Sequence, residues 1–127
     1  MAVIFPDVET TLVSYFTTAL ASQGVRVGTK KAQPDEGPYA KELVIVAAYN
    51  EEVEYVTKLV TVTLEVYADD YATANTLGLL VESLIRGSVG DVIKRVTVRL
   101  GPVRTTEEGL QERRSLDVEL TVKGNDA

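Results

Sequence analysis

The sequence predicts an α+β fold of two layers, a mostly antiparallel sheet of four to five strands with two amphipathic helices on one face. Three observations carry this. Two segments, near 6–22 and 70–86, repeat apolar residues every three to four positions. Three others, 58–68, 91–100 and 114–123, alternate every second residue. The order is helix, short strand, strand, strand, helix, strand, strand, and two such helices suffice to cover one face of a sheet. The 127 residues read as a single domain, 1–127, with long loops at 28–42 and 101–113.

Helix one is expected from about Pro6 to Ser22. Pro6 suits a first helical position, and Asp7 and Glu9 place negative charge at the positive end of the helix dipole. Val8, Leu12, Tyr15, Phe16 and Ala19 form its stripe, and Gly24 is the natural stop. "VRV" at 25–27 is a short strand. "LVIVAAY", 43–49, is apolar without alternation, so both of its faces want cover. "NEEVE", 50–54, reads as a polar turn. The next strand turns Val60, Val62, Leu64 and Val66 one way and Thr61, Thr63 and Glu65 the other, making a hairpin with 43–49.

Helix two starts at Asp69 or Asp70, either of which can cap it, and stops at Gly87. Leu77, Leu80, Val81, Leu84 and Ile85 form its stripe, extended by Ala74, while Leu79 points away. In the last two strands Arg95 and Arg99 can lie across from Asp117 and Glu119 on the wet face. The tail "GNDA" is expected to fray.

Composition excludes much chemistry. There is no cysteine, hence no disulfide, thiolate catalysis or Cys-based zinc site. There is no histidine, which removes the commonest general base and the commonest metal ligand. The acidic clusters are Asp35/Glu36, Glu51/Glu52/Glu54, Asp69/Asp70 and Glu107/Glu108. Their ordinary readings are a helix cap for Asp69/Asp70 and solvated loops for the rest. A carboxylate-dependent, metal-using hydrolase would need Glu51, Glu54 and Asp69 or Asp70 to converge. No EF-hand, Walker, G-x-G-x-x-G or G-x-S-x-G spacing occurs. Catalytic, cofactor and metal residues are therefore all expected to be none. The formal net charge of −6 opposes tight nucleic-acid binding but suits a surface past which nucleic acid slides. No apolar run is long enough to span a membrane, and "MAVIFPDVE" does not read as a secretory signal.

What remains points to assembly. The strand 43–49 is apolar on both faces while two helices cover one, and Leu79 is apolar on the wrong side of its helix; uncovered apolar surface marks protein contacts. The alternative is that "AVIF" or the loops cover that face. Val44, Val46, Tyr49 and Tyr55 on the hairpin are one expected subunit patch and Leu79 the other. Lys30, Lys31, Glu51, Glu52, Arg104, Glu107 and Glu108 are expected to face partners from loops.

"FPDVETTLVSYFTTAL" followed by "VRVGTK", then "VTLEVYADDYATANTLGLLVESLI" and finally "LDVELTVKG" resemble, in order and spacing, the tail terminator (tail completion) proteins of long-tailed, siphophage-type bacteriophages. The resemblance covers most of the chain. It implies a structural protein and not an enzyme. Such a protein forms a hexameric ring on the last ring of tail tube protein, halts tube polymerisation and offers a docking surface to head–tail connector proteins. DNA would pass through the lumen without specific binding, and the protein would sit in the virion, at the neck of the tail, after assembly in the host cytoplasm. The nearest rival is another phage neck protein, of head–tail joining or tube-like kind.

Overall fold

The computed structural model describes residues 3–32, 39–54, 56–105 and 111–126, with the backbone alone at 50–54, 125 and 126. Its elements are β1 (Val3–Ile4), α1 (Val8–Ala19), a 3-10 turn (Ala21–Gln23), β2 (Arg26–Gly28), β3 (Lys41–Glu54), β4 (Thr57–Ala68), α2 (Tyr71–Arg86), β5 (Ile93–Thr105), β6 (Glu112–Lys123) and β7 (Asn125–Asp126). The main sheet has the order β2-β3-β4-β6-β5. Every pairing in it is antiparallel except β2 with β3, which is parallel.

The alternating strands build the core as expected. Val60 faces Leu120, Val62 faces Val118 and Leu64 faces Leu116 across the central β4–β6 pair, all buried. Leu43 and Ile45 of β3 join them, and both helices lie on this one face, burying Val8, Leu12 and Phe16 from α1 and Leu77, Val81 and Ile85 from α2. The Tyr15 hydroxyl donates to the Leu84 carbonyl at 2.6 Å and ties the two helices together.

Several boundaries differ from the sequence expectation. Asp7, not Pro6, opens α1. It is the N-cap, and its carboxylate accepts from the Thr10 amide and hydroxyl. The α-helix ends at Ala19, so Ala19 is exposed while Leu20 turns inward and is buried. Gly24, at φ 66°, takes the left-handed conformation that ends the 3-10 turn.

The expected polar turn at 50–54 is strand. After an irregularity between Tyr49 and Val53, β3 resumes pairing at Val53–Lys58 and Glu54–Thr57. The stretch "NEEVE" is polar and carries no apolar alternation, so it looks like a turn. The expected loop 101–113 shortens likewise, because β5 continues to Thr105 and β6 begins at Glu112. Bulges around Leu100–Val103 absorb Gly101 and Pro102, and proline is tolerated because β5 is an edge strand. The tail is paired, with Asn125 against Ile4 and Asp126 against Val3. Within "AVIF", Val3 and Ile4 pair with the tail as β1, and Phe5 packs against the core.

Candidate assembly surfaces

Alternation along β3 sorts the expected hairpin patch. Val44, Val46 and Ala48 pair with Glu65, Thr63 and Thr61 on the outer sheet face, away from the helices. Tyr49 pairs with Val60 on the helix face, where its hydroxyl accepts the Val8 amide at 3.0 Å, at the start of α1. Lys58 lies over the Tyr49 and Phe5 rings at 5.6 and 5.5 Å. Val44 is only 4% exposed and offers no surface, which corrects its expected place in a subunit patch; Val46 is 47% exposed. Leu79, 62% exposed, stands on the outer side of the helix layer. Val46 and Leu79 thus lie on opposite sides of the two-layer body. Tyr55 lies outside the described residues.

The expected partner-facing residues scatter. Lys31 is engaged internally: its ammonium pairs with the buried Glu42 carboxylate and lies 4.9 Å from the Tyr67 ring. Arg26 and the Ala32 amide complete that site at 3.2 and 3.0 Å. Burial pushes the Glu42 carboxyl up, but the Lys31 ammonium, the Ala32 amide and Arg26 together outweigh it and leave the pKa below its ordinary value. Lys30 is exposed, and its carbonyl accepts from Arg26 at 2.6 Å. Glu51 and Glu52 belong to β3 and Arg104 to β5, not to loops. Glu107 and Glu108 lie outside the described residues.

A second cluster, invisible to sequence reasoning, lies where the β5–β6 hairpin meets the start of α2. Arg114 occupies an inward position of β6, 2% exposed, and donates to Asn75 Oδ1 at 2.8 Å. Its guanidinium lies 4.9 Å from the Tyr71 ring, with Arg104 at 5.1 Å from the same ring. Glu112 forms an ion pair with Arg104 at 2.9 Å, accepts its hydrogen bond at Oε2 at 3.3 Å, and lies 3.8 Å from Arg114. The expected wet-face pairs form in part. Arg99 meets Glu119 at 2.9 Å, but bulges put Arg95 opposite Thr121, and Asp117 accepts from Thr63 instead.

The geometry separates the carboxylates that a metal-using hydrolase would need. Asp70 caps α2, accepting the Thr73 amide at 2.8 Å, and Asp69 accepts from Gln111 at 3.0 Å. Both follow the end of β4, whereas Glu51 and Glu54 lie by its start, roughly 35 Å away at about 3.3 Å per strand residue. Among the described residues no three carboxylates group as metal ligands. One shallow cavity of about 300 Å³ lies between the 3-10 turn, the start of β3 and the first turns of α2. Among the described residues its one ionisable lining residue is Lys41, which donates to the Gln23 carbonyl. Among the described residues no helix is long and apolar enough to cross a membrane.

Compared with family models and with curated proteins, the chain matches none.

Proposed function

We propose that this chain is a structural, non-enzymatic virion protein of a long-tailed phage. It forms a ring, hexameric by the resemblance, that caps the tail tube, stops its polymerisation and presents the docking surface for the head connector. The observation that carries the reading is the pairing of the family-like order of segments with two unlike exposed apolar patches, Val46 and Leu79, on opposite layers. A head-to-tail ring needs two different patches on each subunit, whereas a two-fold dimer needs one self-complementary patch. The net charge of −6 suits a lumen through which DNA slides without being held.

The test is to add the purified protein to polymerising tail tube protein. A terminator shortens the tubes in proportion to its concentration and appears as a ring at one tube end in negative stain. A head–tail joining protein leaves growing tubes unchanged and binds only finished tails or heads, and that outcome would replace this reading with the neck-protein one.

A further inference from the structure

α2 carries two seams. Ala74, Leu77, Val81 and Ile85 face the core. On the opposite side Ala72, Thr76, Leu79, Ser83 and Arg86 follow one another at alternating spacings of four and three, which lines them along one ridge. All five are exposed. From Ala72 to Ser83 this ridge is uncharged, in a chain whose residues are 25% charged, and its short Ala, Thr and Ser side chains lose little freedom when covered. At its C-terminal end Arg86 pairs with Glu82 at 3.0 Å and stays more than half exposed.

The outer face of the sheet, away from both helices, has the complementary shape. Val46, Thr63, Asp117 and Leu100 form one row across β3, β4, β6 and β5, and Ala48, Thr61, Glu119 and Thr97 form the next. Val46 and Leu100, the latter 43% exposed, end the first row as apolar walls over a shorter floor of Thr63 and Asp117. Three strand spacings of about 4.8 Å put these walls roughly 14 Å apart, and an α-helix with its side chains is about 10–12 Å across. The Asp117 carboxylate accepts the Thr63 hydroxyl at 3.1 Å and has no cation beside it among the described residues. In the second row Glu119 pairs with Arg99, which stays more than half exposed.

We propose that a second copy of this chain docks head-to-tail, the α2 ridge of one copy lying in the outer-face channel of the next, with Leu79 seated between Val46 and Leu100. This rests on the ring reading above and names the surfaces that build the ring. Both apolar patches are used, and because they lie on opposite layers the contact joins unlike surfaces and leaves one of each free for a further copy. Charge sets the direction of the helix. Along α2, Glu82 and Arg86 lie roughly 4.5 and 10.5 Å beyond Leu79 at about 1.5 Å per residue. The second row lies about 6.6–6.8 Å beyond the first. Helical side chains lean toward the N-terminus, so Arg86 reaches back over Glu119 and Asp117 while Glu82 meets Arg99. The two intramolecular pairs then become one cluster of alternating sign across the contact, and the acid on the channel floor gains a counter-charge. Fit in width, apolar content and charge order, all within one chain, selects a second copy as the occupant.

The experiment reverses charges by pairs and is read by sedimentation velocity on the full chain. E82R/R86E and R99E/E119R each keep the intramolecular pair with its signs exchanged, so each variant should melt like wild type by circular dichroism. Wild type assembles. Each reversed pair alone stays monomeric to roughly tenfold higher concentration, because the ridge then meets a channel of like charge. An equimolar mixture of the two assembles again, and a chain carrying all four substitutions assembles unaided. Leu79→Asp and Val46→Asp, both at exposed positions, each block assembly, and they decide the matter if a reversed pair disturbs folding. The proposal is overturned if wild type is monomeric, if a folded reversed-pair variant assembles like wild type, or if the mixture fails to recover. A dimer lost in Leu79→Asp but intact in Val46→Asp overturns it in favour of a two-fold contact between ridges. A monomeric wild type whose tube capping is lost in Leu79→Asp assigns the ridge to the tube protein instead. The ring contact and the terminator role fail separately. A charge-sensitive oligomer that leaves tube length unchanged removes the role, and tube capping insensitive to the exchange removes the contact.

Discussion

Glu42 lies on the outer face of β3, with Lys31, Arg26 and the Ala32 amide converging on its buried carboxylate. Composition alone placed it at the edge of a polar loop, because a buried, paired carboxylate and a solvated one are spelled alike. The same holds for Arg114, whose inward register is legible in the alternation of β6, but whose partners Asn75 and Tyr71 come from another element. The folded pKa of Glu42 is depressed, so the unfolded chain binds its proton first as pH falls. Its contribution is therefore full above the ordinary value of 4.5 and is lost as pH drops through the folded value. Glu42→Gln removes the carboxylate charge that Lys31 and Arg26 share; both cations are partly exposed, so the expected cost is modest, about 1–3 kcal/mol by urea unfolding at neutral pH. The difference between wild type and variant should shrink as pH falls below 4.5. A difference that stays constant down to acid would show that the carboxylate charge contributes nothing.

At the level of elements, the strongly periodic pieces were legible and the ends were not. The stripes of α1 and α2 and the alternation of β4 and β6 follow from burial on one face, and sequence records burial well. Beyond Leu100 no residue of β5 is buried, the distal end of β3 is polar in sequence, and β1 with β7 is a pair of two-residue strands, so none of these leaves a periodic trace. Gly124 shows what holds the small pair in place. It is buried, donates its amide to the Val56 carbonyl at 2.7 Å, and an added methyl would overlap the Val3 side chain and come within 3.1 Å of Phe5. Gly124→Ala should therefore displace β1, costing about 1–3 kcal/mol and speeding amide exchange at Val3 and Ile4. Gly90, with nothing near the space its methyl would take, is the control, and Gly90→Ala should stay within about 0.5 kcal/mol of wild type. Equal effects at the two sites would contradict the packing account of β1.

The described residues build a five-stranded sheet with both helices on one face, beside the small β1–β7 pair, and the layering is legible in the sequence because two amphipathic helices and alternating strands admit few other arrangements. The assembly surfaces were legible only in part. Val46 and Leu79 stand out as apolar residues without a core to enter, whereas their placement on opposite layers emerges only from strand pairing and helix packing. The side-chain hydrogen bond that joins the two helices is that of the Tyr15 hydroxyl to the Leu84 carbonyl. Tyr15→Phe keeps the ring, which packs edge-on against Phe16 at 5.3 Å, and removes only this bond. The expected loss is about 0.5–1.5 kcal/mol, a fall of roughly 2–8 °C in Tm for a domain of this size. The pH dependence separates this bond from mere packing. Burial raises the Tyr15 pKa above its ordinary 10.0, so the folded state holds the proton longer than the unfolded state does. Its stabilising contribution is complete below pH 10.0 and declines as pH rises toward and through the folded value. Wild type should consequently lose stability above pH 10 more steeply than Tyr15→Phe, and the two unfolding curves should converge there. Parallel curves across that range would mean that the hydroxyl does not couple the helix layer.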